Sequence, residues 1–406
     1  MLRNFSRKYI KAAFALLLLS GCAAPKAALE HKDWPTYLYS GSRANISDDK
    51  LTLPLVMKWD KDISAFNLFK AYPKEQLSVP VVSGGALFTG STNEGFYTVD
   101  FDSGRVLWRF DAGYPLEAPA TVEGPFVFFG SSDGYIRCLD RASGKELWRF
   151  RARSEILSGP VVKDGRVYFS SSDDRVYALG ASNGEKLWSF NRGTLQTVTP
   201  RIYASPAYSN GRLYLFFSDG SLVCLSAENG KEVWSRKIVK MFDSAQQTRR
   251  TPLVSYGTVY VIDDNNAVQA LSEETGEVKG IYNIIKAYDL VAPDKSRLVI
   301  AGISQIVSID RITGATLWKK ELRYSPLSSV FAAGDVLFAV SNQKVTPFGW
   351  EFLSSRNGYM QAFDLKDGSV LWESGLSSSI TANASAGSSG VALLTDKGLL
   401  TVFKTR

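Results

Sequence analysis

Few side chains in this chain could carry covalent, acid–base or metal chemistry. Its 406 residues include one histidine, His31, and three cysteines, Cys22, Cys138 and Cys224. A histidine can act as general base or metal ligand, but His31 precedes every repeated segment described below, so the repeats contain no imidazole. No two cysteines adjoin and no CxxCH marks haem attachment. No glycine-rich phosphate loop occurs, and no GxSxG stands in a strand–turn–helix context. Carboxylates remain. Asp100, Asp140, Asp310 and Asp364 each stand four residues before a glycine. An aspartate so placed caps a turn with its own side chain, and this reading is preferred to catalysis. The Asp–Gly and Asp–Asp pairs lack the spacing of an EF-hand calcium loop and suit hairpin turns.

Those glycines belong to a repeat. SGRVLWRF, SGKELWRF and NGEKLWSF end at Phe110, Phe150 and Phe190, and most intervals between repeat glycines are 40 to 46 residues. The glycines are Gly104, Gly144, Gly184, Gly230, Gly314 and Gly368, followed four residues later by Trp108, Trp148, Trp188, Trp234, Trp318 and Trp372. Gly276-Glu-Val-Lys-Gly280 is a degraded copy without tryptophan. The period fits a four-stranded propeller blade. Within a unit, short β-branched and aromatic runs alternate with Lys163-Asp164-Gly165, Asp173-Asp174 and Ser182-Asn183-Gly184, which are hairpin turn residues. Six residues before each glycine lies a small side chain: Thr98, Cys138, Ala178, Cys224, Ala270, Ser308 and Ala362, with Val402 matching in the last unit. Such a column predicts close packing between sheets. It makes Cys138 and Cys224 packing residues two blades apart, unsuited to a disulfide. One tryptophan per unit on the outermost strand is expected to wedge between neighbours. The final GVALLTDKGLLTVF lacks a tryptophan strand, and Leu53–Trp59 supplies a lone one. Joined, they predict an all-β, eight-bladed propeller of four-stranded antiparallel blades over residues 51–406, closed by N- and C-terminal strands in one blade.

The N-terminus reads differently. Arg3, Arg7, Lys8 and Lys11 precede Ala12–Leu19 (AAFALLLL), an apolar run too short for a permanent bilayer span. Leu19-Ser20-Gly21-Cys22 resembles the lipobox of bacterial lipoproteins. It predicts a signal peptide over 1–21, lipid attachment at Cys22 and a tether with a leading segment over 22–50. An ordinary secretion signal with a chance cysteine is the other reading. Ala23 in place of aspartate suggests, by analogy with enteric sorting, the outer membrane. Loss of the four basic residues with the leader would take the formal charge from +7 to +3. No dense Lys/Arg stripe points to nucleic acid.

SSDGYIRCLDRASGKELW resembles the repeat of pyrroloquinoline-quinone (PQQ)-type propellers, and Asp33-Trp-Pro-Thr-Tyr37 resembles their opening segment. The resemblance spans 33–406. Within that superfamily, the lipobox, eight blades, length and absence of extra domains resemble the BamB family, lipoproteins of the machinery that assembles outer-membrane β-barrels. The resemblance implies a non-catalytic, lipid-anchored scaffold at the periplasmic face of the outer membrane. It implies a monomeric propeller within a complex, without cofactor or metal, that binds the barrel-forming subunit through loops on one face. A basic residue before that family's fourth blade is matched by Arg201 in TPRIYASP. The next connector, acidic in that family, here reads QQTRRTP with Gln247, Arg249 and Arg250.

Blade topology places the connectors between blades and the loops between second and third strands on one face. The longest irregular stretches fall there: Asp60–Pro80, Asn191–Pro206, Ser235–Pro252 and Ser341–Asn357, the last carrying Phe348 and Trp350 in TPFGWEF. Arg201, Arg249, Arg250, Phe348 and Trp350 are therefore candidate partner-binding residues. Packing of Trp350 over its own blade is the alternative. Two other functions stay open. One is a PQQ-dependent or related oxidoreductase, although such enzymes carry an adjacent cysteine pair with acidic and amide calcium ligands. The other is a periplasmic sugar- or peptide-binding propeller.

Overall fold

The computed structural model describes residues 34–47, 50–63, 76–92, 95–193, 203–240, 251–346, 350, 354–387 and 389–406. They form eight antiparallel sheets, and no α-helix occurs among them. Blades 1 to 7 span 81–111, 121–151, 161–191, 207–237, 253–282, 287–321 and 327–375. Blade 8 takes its three inner strands from 385–405 and its outermost strand, Leu55–Asp62, from the chain's beginning, with Trp59 opposite Val402. The ring is thus closed by pairing the two ends of the domain, which removes the exposed edges an open array would leave.

The core has no single centre. Each hydrophobic cluster lies between consecutive sheets: blades 1 and 2 share Phe88, Phe96 and Phe129, while blades 3 and 4 share Tyr168, Ala178 and Leu215. The largest cluster joins blades 7, 8 and 1 across the closure. Middle strands are therefore buried on both faces and read as continuous apolar runs, such as Leu222–Leu225. Outermost strands alternate half-buried and exposed, as in Glu146–Arg151.

The repeat residues acquire a common geometry. The turn glycines adopt φ of +69° to +73°, which L side chains rarely tolerate. Each preceding aspartate caps its turn: Asp140 accepts from the Ser143 backbone N–H at 2.8 Å, and Asp310 from that of Thr313 at 2.7 Å. Every small-column residue from Thr98 to Val402 lies opposite the outermost-strand residue of its own blade, Trp148 facing Cys138 and Trp234 facing Cys224. The indole then reaches the next blade. A Cβ on Gly184 would fall 2.6 Å from Trp148, and the Trp148 Nε1–H donates to the Ala181 carbonyl at 3.0 Å. Trp59, Trp108, Trp188, Trp234 and Trp318 make the same indole bond, to Phe101, Arg141, Ala227, Glu273 and Leu365. Trp372 meets the chain's last strand, where no such turn follows, and packs edge-on against Phe403. In the degraded blade 5, Tyr282 does this work: it lies beside Gly314 and donates to the Arg311 carbonyl at 2.8 Å.

Residues 34–47 lie inside the ring. The innermost strands would otherwise present unpaired N–H groups to the channel. The segment winds past them as a belt. Its carbonyls accept from Val82, Val122, Tyr208, Val254 and Ala332, on the innermost strands of blades 1, 2, 4, 5 and 7, and from Ala292, one residue past that of blade 6. Ile46–Ser47 also adds a parallel fifth strand to blade 7. Leu38, Tyr39, Arg43 and Asn45 hold left-handed φ of 54° to 72°, the local cost of so tight a winding. Arg43 fastens the rest. It is fully buried, and its guanidinium donates to the carbonyls of Pro206 at 3.0 Å, Gly159 at 3.2 Å and Pro160 at 3.3 Å, and to the Tyr37 carbonyl. A fifth bond goes to Thr36 Oγ1 at 3.1 Å; Thr36 bonds Thr121, which donates to the Pro160 carbonyl at 2.7 Å. Burial pulls the guanidinium down to about 9, still charged at neutral pH.

Candidate functional site

The belt closes the channel on one side and leaves a cavity of about 350 Å³ on the side of the blade connectors. Tyr37, Leu38 and Arg43 contribute its belt side, and residues at or before the innermost strands make most of its wall. Leu77, Val79, Leu253, Leu290, Leu327 and Ile380 supply the apolar part of a wall that is polar over the rest. Its polar groups are mostly engaged. Asn342 donates to Ser328 Oγ at 2.8 Å and the Ile380 carbonyl at 3.0 Å, and accepts from the Ile380 N–H at 3.0 Å. Tyr203 donates to Glu117 at 2.9 Å.

Asp289 is the one carboxylate in the described lining. It lies on the innermost strand of blade 6, just past a register shift between Ala287 and Asp289. Among the described residues its carboxylate accepts the Leu290 N–H at 2.8 Å and, across the blade boundary, the Val330 N–H at 3.4 Å. No cationic side chain among the described residues pairs with it. Enclosure pushes its carboxyl up to about 7 against the pull of those two N–H bonds. Sequence reasoning passed over Asp289, because it stands outside the repeat pattern and nothing near it in sequence suggests a cavity.

The connector face also carries one projecting hairpin. Ser341–Asn357, expected to be irregular, is strand up to Val345 and again from Ser355, paired as far as Val345 opposite Ser355. Its strands, Val336–Val345 and Ser355–Asp364, run 10 residues each, where other second strands run five or six. Beyond Ser341 and Tyr359 the two strands pair, among the described residues, only with each other, so the hairpin extends past the other strands of its blade. Trp350, at its end, is 55% exposed. Cys22, Arg201, Arg249, Arg250 and Phe348 lie outside the described residues.

The family model described as "Outer membrane protein assembly factor BamB" matches residues 92–245, 222–279 and 286–405, well over half the chain. The chain belongs to the BamB family. No curated protein matches it by sequence. Among solved structures, BamB from Moraxella catarrhalis superposes with a TM-score of 0.67 at 15% identity, over 87% of this chain and 100% of that one. Quinohemoprotein alcohol dehydrogenase ADHIIG from Pseudomonas putida HK5 gives 0.69 at 14%, over 92% of this chain and 80% of that one. A europium-containing methanol dehydrogenase gives 0.66 at 13%, over 91% and 89%. At such identities the likeness shows a common fold.

The cavity of this BamB-family chain does not fit a quinone held beside calcium. Its described lining includes no cysteine and one carboxylate, Asp289. Arg43 has spent its donors on neutral oxygens, so it has none left for a quinone carboxylate. Cys138 and Cys224 are buried in third strands, and burial raises each thiol to about 12, which leaves no reactive thiolate. No group of three or more His, Cys, Asp or Glu side chains among the described residues is arranged to hold a metal.

Proposed function

We propose that this chain is a non-catalytic scaffold of outer-membrane β-barrel assembly, anchored by lipid at Cys22, that holds the barrel-forming subunit on its connector face. Family membership over most of the propeller carries the reading. The projecting hairpin and the exposed Trp350 support the choice of face, since exposed aromatics are common interface anchors. Strand addition at an outer edge of the hairpin is the docking mode its pairing pattern allows. In sequence, Arg201, Arg249, Arg250 and Phe348 belong to the same connectors and insertion and are proposed as further contacts.

Affinity capture from detergent-solubilised membranes tests this reading. Recovery of the barrel-forming subunit is expected, weakened by Trp350→Ala with an unchanged melting temperature. Its consistent absence would contradict the scaffold.

The likeness to quinohemoprotein alcohol dehydrogenase motivates one rival, a quinone-dependent oxidoreductase. Stoichiometric uptake of PQQ by the purified protein, with reduction of an acceptor dye, would favour it. The scaffold reading predicts neither.

A further inference from the structure

We propose that the axial cavity binds a primary ammonium group on a short apolar stem, with the Asp289 carboxylate as its counter-charge. A part-buried carboxylate without a cationic partner is stabilised by a counter-charge brought in by a ligand. Asp289 is part-buried, lines the cavity and, among the described residues, accepts two backbone N–H groups. The remaining walls suit the rest of such a ligand. Leu290, Leu327 and Ile380 would cover an apolar stem, and Tyr203 and Tyr288 place aromatic rings in the lining, suitable neighbours for an ammonium. About 350 Å³ lies at the small end of ligand pockets, enough for a small amine or a single lysine side chain. An anionic ligand would meet the Asp289 carboxylate, and the buried Arg43 has committed its N–H groups to five oxygen acceptors; Arg356, the other cation of the lining, is exposed.

The site should respond to pH through Asp289. Its carboxyl ionises at about 7, so the cation-binding form grows as pH rises through that value. The other titratable groups lining the cavity are Tyr37, Arg43, Tyr203, Tyr288 and Arg356, and the innermost strand of blade 7 contributes only Pro326, Leu327 and Ser328 there.

The ammonium could belong to a free amine or to a lysine of a peptide. Calorimetry and ligand-observed NMR on the full chain in detergent separate the sources. The probes are phenethylamine, an acetylated and amidated leucine–lysine–leucine tripeptide, and phenylethanol as the neutral control. At least one cationic probe is expected to bind and phenylethanol to fail. Affinity should rise about tenfold from pH 6 to pH 8. Asp289→Asn, which keeps the shape and an acceptor for the Val330 N–H, should weaken binding at least tenfold and remove the pH dependence. Ile303→Trp, at an exposed position on the wall, should weaken binding without touching Asp289. Failure of both cationic probes, equal binding of phenylethanol, or unchanged affinity in both variants would overturn the proposal. The site is independent of the scaffold reading: amine binding can fail while partner capture succeeds, and the reverse.

Discussion

Each outermost-strand indole except that of Trp372 links two blades by two contacts, a face laid over a glycine and an N–H given to a carbonyl. For Trp148 these are Gly184 and the Ala181 carbonyl. The ring is only half-buried, so truncation should cost less than removal of a fully enclosed tryptophan. Trp148→Ala is expected to lower stability by about 2–3 kcal/mol, read by denaturant melting, while partner capture by the folded fraction is kept. Titration offers a second test at this scale. Hydrogen bonds from Ser143 hold Asp140, and bonds from Thr313 hold Asp310, below the ordinary carboxylate value of 3.8. Their stabilisation is present above that value and is lost as pH falls through the depressed folded values, so Asp310→Asn should flatten the acid limb of a stability–pH curve. Asp289 has the opposite sign. Its folded value is raised from 3.8 to about 7, so its penalty grows as pH rises from about 4 to about 7 and is constant above. Asp289→Asn should therefore raise the melting temperature relative to the parent more at pH 8 than at pH 4; an equal difference at both would contradict the assignment. The turn aspartates were legible in sequence because they recur at a fixed offset from glycine. Asp289 was not, since its character comes from blade 7 and the belt, far away in the chain.

At the scale of elements, the belt differs from everything the repeats announce. Asp33-Trp-Pro-Thr-Tyr37 is recognisable as an opening segment, yet no spacing in it says that residues 34–47 lie inside the ring. That placement depends on N–H groups spread over six blades, which no local pattern encodes. Arg43 is the residue on which the arrangement is most exposed to test. Arg43→Met keeps much of the apolar volume and leaves the carbonyls of Gly159, Pro160 and Pro206 without their side-chain donor. We expect a loss of about 3–5 kcal/mol, with increased protease sensitivity of the leading segment. A variant as stable as the parent would mean that the belt is dispensable. The fourth strand of blade 5 gives a smaller lesson. The lost tryptophan was visible, but its replacement by Tyr282 was not, because the tyrosine sits two positions beyond Gly280 and reaches Arg311 from there. The hairpin of blade 7 likewise reads as an irregular insertion until Val345 and Ser355 are seen to pair.

At the scale of the whole molecule, the blade count and the closure follow from a period that survives in almost every unit. A wedge that buries its two faces only against its neighbours has little stability alone, so the period and the closed ring imply one another. Function is less legible, because it rests on one face rather than on the repeat. The turn face and the connector face differ in what they offer: tight capped turns on the first, the axial cavity and the projecting hairpin on the second. Site-specific photo-crosslinking in cells distinguishes them directly. A photoreactive residue replacing Trp350 on the connector face should form an adduct with the barrel-forming subunit, and one replacing Ile312, 87% exposed on the turn face, should not. Adduct formation at 312 with none at 350, or at neither, would contradict a scaffold that works through its connector face.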